Sequence, residues 1–166
     1  MQPMRSVFFV AALAFSFIAP ATAGEIAVWY YCGTDQSPEG LVKSLIQSKL
    51  VSGRPYEAHD SIEYFQASTG VTAFGFPLIA IEGAELGSKF FHRAPGTGAS
   101  SRIGLIIQGQ QGQVQRALRE KGVTFFTTRA ISQSGPAVFV ESFEDFLPTG
   151  ADTRLAYTKV VCYPQW

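Results

Sequence analysis

The sequence predicts an α+β fold in which one main helix packs on a twisted antiparallel β-sheet. Two observations carry that reading. The segment from Ser37 to Gly53 places apolar residues at helical spacing between a start signal and a stop signal. From residue 62 onward the chain breaks into short apolar or alternating runs, most of them separated by Gly, Pro or Ser. One long helix ahead of many short strands is the pattern of an α+β domain with an antiparallel sheet.

The elements follow in chain order. Residues 1–23 read as a signal peptide: Arg5, an apolar stretch from Val7 to Ile18, then Ala21-Thr22-Ala23 as a small-x-small cleavage site. The apolar stretch falls short of the roughly 20 residues a membrane span needs. The expected product is an exported single domain, 24–166, extracellular or, in a bacterium, periplasmic, with no membrane attachment and as a monomer. Ile26 to Cys32 reads as a strand by its aromatic and apolar content. Ser37-Pro38-Glu39 then supplies a capping hydroxyl, a first-turn proline and an early carboxylate. Leu41, Val42, Leu45 and Ile46 form the inner face of that helix.

Expected strands follow at Ile62–Ala67, Val71–Phe74, Phe76–Ile81, Lys89–Arg93, Ile103–Gln108, Val123–Arg129, Ala137–Glu141 and Leu155–Tyr163. Gln113–Lys121 reads as a second, minor helix ended by Gly122. With only Val114, Ala117 and Leu118 on its inner side, it is expected to lie on the surface rather than to build the core.

Charge and cysteine content narrow the function classes. Without Arg5 the chain carries 12 basic and 13 acidic side chains. Segment 89–129 nonetheless holds Lys89, Arg93, Arg102, Arg116, Arg119, Lys121 and Arg129 against Glu120 alone, a local charge of +6. Those charges either converge on one basic surface that attracts phosphate or scatter over a solvated one; the sequence leaves both open. Cys32 and Cys162 are the two cysteines, and in an oxidising compartment an even pair points to a disulfide. Together with His59 and His92 they show no metal-ligand spacing, and no cofactor motif is present.

Three local motifs carry candidate chemistry. The loop Ala94-Pro95-Gly96-Thr97-Gly98-Ala99-Ser100-Ser101-Arg102 has small residues, Gly96 and Gly98 among them, that let backbone N–H groups approach an anion. It lacks the Gly-Lys-Ser/Thr ending of a nucleotide-phosphate loop and is equally an ordinary glycine-rich turn. Arg102 opens the following strand, and by alternation it faces away from Ile103, Leu105 and Ile107, with Arg93 placed to reach the same surface from the preceding run. His59, followed by Asp60, is a candidate proton-transfer group or a plain surface histidine.

Taken in order, these pieces resemble the secreted guanyl-specific ribonucleases of fungi and their ribonuclease-like effector relatives in powdery mildews. The residues that carry the resemblance are Tyr30-Tyr31-Cys32, Pro55-Tyr56 with His59, Phe76-Pro77-Leu78, Pro95-Gly96 with Arg102-Ile103, Gly122-Val123-Thr124 and the C-terminal Cys162. The resemblance implies a microbial-ribonuclease-like scaffold, with His59 at an auxiliary-base position and Arg102 at a phosphate contact. It also implies loss of chemistry: the family's catalytic glutamate position falls on Gly75 and its catalytic histidine on Phe126. Without that pair, RNA cleavage loses proton transfers worth about 10²–10⁴-fold each. The resulting expectation is a secreted effector and virulence factor that binds RNA or a host protein without ribonuclease activity. The alternative is a small extracellular or periplasmic enzyme, a degenerate ribonuclease included, with an unrecognised active site.

Overall fold

In the computed structural model, residues 24–26, 32, 36–95, 100–127 and 137–164 are described. The segment read as a signal peptide lies outside them, as do residues 27–31 of the first expected strand, Gly96 and Gly98.

Helix α1 (Pro38–Gln47) begins as its sequence dictates, with Ser37 Oγ accepting the Gly40 N–H at 3.1 Å and Pro38 in the first turn. It ends well before Gly53. Lys49 takes the left-handed conformation (φ 57°), and the Leu50 N–H closes back on the Leu45 carbonyl. The strands are β1 (Glu57–His59), β2 (Ile62–Gln66), β3 (Thr72–Ala73), β4 (Phe76–Ala84), β5 (Arg102–Gln108), β6 (Ala137–Ser142) and β7 (Tyr157–Tyr163), with helix α2 (Gln111–Glu120) between β5 and β6. Their order across the sheet is β1-β2-β4-β5-β7-β6, every neighbour antiparallel, and β3 forms a hairpin with the start of β4.

Three expectations are corrected here. The fold is not one main helix on a sheet: it is a seven-stranded antiparallel sheet with two short helices of equal length. Helix α2 is no surface excursion, because Val114 and Leu118, one turn apart, are both fully buried against the sheet. A narrow apolar stripe suffices when the surface beneath it is continuous, and here that surface is β6 and β7. The run Lys89–Arg93 is also not a strand; Ser88 Oγ takes the Phe90 and Phe91 N–H groups and folds it into a turn. Of Val123–Arg129, the described part makes a single bridge, Phe126 to Phe139.

Both helices cover one face of the sheet. Leu41, Val42 and Leu45 of α1 and Val114 and Leu118 of α2 meet Leu78, Ile81, Leu105, Ile107, Val140 and Val160 in a single core. Cys162 projects into that core, and its disulfide to Cys32 ties two positions 130 residues apart, with Cα atoms 5.4 Å from each other. The opposite face is covered differently: the irregular strap 143–156 between β6 and β7 lays Phe143, Phe146 and Leu147 over Ile62, Tyr64, Ala80, Ile106 and Tyr157. Among the described residues no helix is long and apolar enough to cross a membrane.

Candidate functional site

The strap covers a cluster of charges that alternation places on the second face. In β4 (Phe76–Ala84) Ile81 enters the helix-side core while Glu82 points the other way; in β5 Arg102, Gly104 and Ile106 share that second face, as Lys159 does in β7. Glu82 stands opposite Gly104 in register, and a Cβ at 104 would lie 2.5 Å from Glu82 Cγ. The missing side chain is what makes room for the carboxylate.

Glu82 is 0 % exposed, yet it is flanked by two cations. Its Oε1 lies 3.5 Å from Arg102 Nε and its Oε2 lies 3.6 Å from Lys159 Nζ. Lys159 also meets Glu141 at 2.9 Å and sits 4.9 Å from the Phe143 ring centroid. Arg102 donates to the Tyr163 hydroxyl at 3.1 Å. Among the described residues, neither Glu82 oxygen nor Arg102 Nε has a hydrogen bond of good geometry, although the Tyr64 hydroxyl stands near enough to Glu82 for that contact to raise its phenol further. Two cations and two carboxylates leave the cluster neutral but incompletely hydrogen-bonded, the costly way to bury charge.

The electrostatics follow from this arrangement. Burial opposes the Arg102 charge, but Glu82 and then Tyr163 more than offset it and hold the guanidinium above its ordinary value. The Tyr64 phenol is pushed well above the ordinary tyrosine range, first by burial and then by the negative charge of Glu82, with Arg102 acting the other way. Tyr56 is raised too, by burial and then by Glu57 and Glu82, and its hydroxyl donates to the Phe146 carbonyl at 2.6 Å. A carboxylate, a guanidinium and an ammonium within one polar nest are the parts that proton transfer around an anion requires. Here they are spent on one another beneath Phe143.

The residues singled out in the sequence are only partly brought together. His59 pairs with Ile62 across the β1–β2 hairpin, in the same transverse row as Ala84 and Arg102. It therefore shares the sheet face of Arg102, about 14 Å away at three strand spacings. Its imidazole is half exposed, 3.2 Å from Asp60 and stacked on Phe146 with ring centroids 4.8 Å apart. Arg93 stands outside the sheet on the β4–β5 connection, where it lines a recess of about 220 Å³ with Ser61, His92 and Glu85. Gly75 is the second residue of the β3–β4 turn, with Phe74 and Gly75 both left-handed (φ 56° and 80°), and Phe126 lies along the outer edge of β6.

Among the chosen positions only Arg102 belongs to the cluster. Glu82, Lys159 and Tyr64 were missed, although a signal existed: each charge interrupts an otherwise apolar strand, in Phe76–Ala84 and in Tyr157–Tyr163. Among the described residues, the charges of the +6 segment do not converge on one surface. Arg116 and Arg119 are exposed on α2, which packs on the face opposite Arg102, and Arg119 stacks over Phe125 at 5.1 Å. Compared with protein-family models, curated proteins and solved structures, the chain matches none.

Proposed function

We propose that the protein is an exported, divergent relative of the secreted fungal ribonucleases that does not cleave RNA and acts as an effector by binding RNA or a host protein. The observation that carries this reading is the sealed cluster. A base that removes a 2′-hydroxyl proton must come within hydrogen-bond reach of it. Glu82 is fully buried and held between Arg102 and Lys159, so its carboxylate is spent inside the fold. The exposed cations available to an RNA backbone include Lys89, Arg93, Arg116 and Arg119. Contacts of that kind weaken steeply with added salt.

The test is purified mature chain incubated with single-stranded RNA, read for cleavage and, with a labelled strand, for binding at two salt concentrations. No cleavage above background is the expected result. Salt-sensitive binding assigns RNA as the partner, and no binding assigns a protein. The juxtaposition of Glu82, Arg102 and Lys159 favours one second reading, a ribonuclease whose site opens when the strap lifts. Cleavage abolished by Glu82→Gln in a folded protein establishes that reading instead.

A further inference from the structure

A cavity of about 550 Å³ lies between the β5–α2 turn, the end of β6 and the strap. Its walls carry Gln110, Glu144 and Thr153, all exposed, and its floor is Phe143, Leu155 and Tyr157. Among the described residues none of those three polar side chains bonds to the protein, and Gln110 at the α2 N-cap makes no capping bond. The wall beside them is fixed: Gln111 donates its amide to the Val140 carbonyl at 3.0 Å and accepts from the Ser142 hydroxyl at 3.1 Å.

We infer that this cavity binds a neutral carbohydrate. The volume lies within the usual range for small-ligand sites. An amide, a hydroxyl and a carboxylate supply donors and acceptors at several angles, as a ring bearing many hydroxyls requires. The carboxylate of Glu144 repels anions, and a single carboxylate beside an amide and a hydroxyl is a poor cation site. The apolar floor takes the C–H face of a sugar ring. Leu155, 44 % exposed and among the described residues one of two large apolar side chains so placed, lines with Tyr157 both this cavity and a second hollow of about 410 Å³ under residues 148–152. The two hollows together fit a chain of two or more sugar rings. This site is independent of the partner proposed above, since it uses neither the basic side chains nor the buried cluster.

The experiment is saturation-transfer NMR on the mature protein with glucose, galactose, mannose, N-acetylglucosamine and the β-1,4-linked disaccharides of glucose and of N-acetylglucosamine. At least one sugar is expected to receive saturation at its ring C–H protons, disaccharides more than their monomers. Glu144→Ala and Thr153→Ala, both on exposed side chains, are each expected to weaken that sugar about tenfold, the size of one lost hydrogen bond to a charged or fixed group. Arg116→Ala on the far side of α2 is expected to leave it unchanged. Saturation of no sugar in the panel overturns the inference. So does binding that Glu144→Ala and Thr153→Ala leave intact, or that Arg116→Ala weakens equally.

Discussion

The two faces of the sheet are buried by different means. The helix-side face is apolar and continuous, with Ile81, Leu105, Ile107 and Val160 meeting two regular helices. The second face places Glu82, Arg102 and Lys159 among Tyr64, Ile106 and Tyr157 and closes over them with the irregular strap 143–156. The first face gains its stability from area removed from water. The second must also offset the desolvation of its charges. Its cover is strained as well, since Phe146 sits in the left-handed region (φ 51°), which an aromatic residue seldom adopts. A fold stable enough on one face tolerates a costly arrangement on the other, and costly arrangements cluster at sites with a function.

The largest effect is expected on the helix side. Cys162 anchors that core to Cys32, and removing both cysteines frees the unfolded chain from a closed loop spanning 130 residues of separation. In the chain-entropy account this costs about 5 kcal/mol, read as the shift in denaturant midpoint at constant slope. A loss below 1 kcal/mol shows that the helix-side core holds the first residues without the staple. Thiol titration of the denatured, non-reduced protein is expected to find no free thiol.

Next in size is the charge cluster. Glu82→Ala leaves two buried cations beside each other and is expected to cost about 3–5 kcal/mol. Replacing the three buried charges, Glu82→Leu with Arg102→Leu and Lys159→Met, is expected to be near neutral or stabilising, because the one carboxylate left without its partner, Glu141, reaches solvent. If the triple variant is as unstable as Glu82→Ala, the second face depends on its ion pairs and the comparison drawn here fails. Arg102→Ala belongs with these variants: since the guanidinium is held inside the cluster, its loss is expected to act on stability rather than on any RNA contact.

The difference between the faces also decides what was legible in the sequence. Alternation in Arg102–Gln108 told correctly that Ile103, Leu105 and Ile107 fill a core and that Arg102 faces the other way. What it left out is the strap. A polar residue on the non-core side of a strand reads as solvent-facing, and nothing in Phe143-Glu144-Asp145-Phe146-Leu147 has the period of an element that would cover it. β1 was missed for a related reason: its three residues are all exposed, and it forms because Asp60 and Ser61, both left-handed, turn the chain back onto β2. Helix α2 was undervalued because the width of its stripe was judged without the surface it meets. The cysteine pair needed no such context.

Gly104 gives a smaller, sharper test. Gly104→Ala drives a Cβ to within 2.5 Å of Glu82 Cγ and is expected to cost about 1–3 kcal/mol. In a Glu82→Ala background the obstructing atoms are gone, so the same substitution is expected to cost almost nothing more. The double-mutant cycle then shows a coupling close to the whole single-mutant effect. Additive costs, by contrast, place the penalty in the backbone of β5 rather than in the cradle for Glu82.

The smallest effect appears only in alkali. The Tyr64 phenol is raised in the folded protein, by burial and then by Glu82, whereas in the unfolded chain it titrates near the ordinary tyrosine value of about 10. Below that pH both states hold the proton, and the group adds no pH dependence. Above it the unfolded chain releases the proton while the folded protein keeps it. The unfolded state then binds fewer protons, and stability falls as pH rises. Tyr64→Phe removes this contribution, so its stability curve, followed by denaturant titration from pH 8 to 11, is expected to run close to wild type at first and then to fall less steeply. Tyr56→Phe is expected to flatten the curve in the same sense, with an added loss of about 1 kcal/mol at every pH from the bond its hydroxyl donates to Phe146. A Tyr64→Phe curve parallel to wild type throughout means that water reaches the phenol in the folded protein. In that case the strap does not seal the second face, and Glu82 beneath it becomes accessible to a substrate.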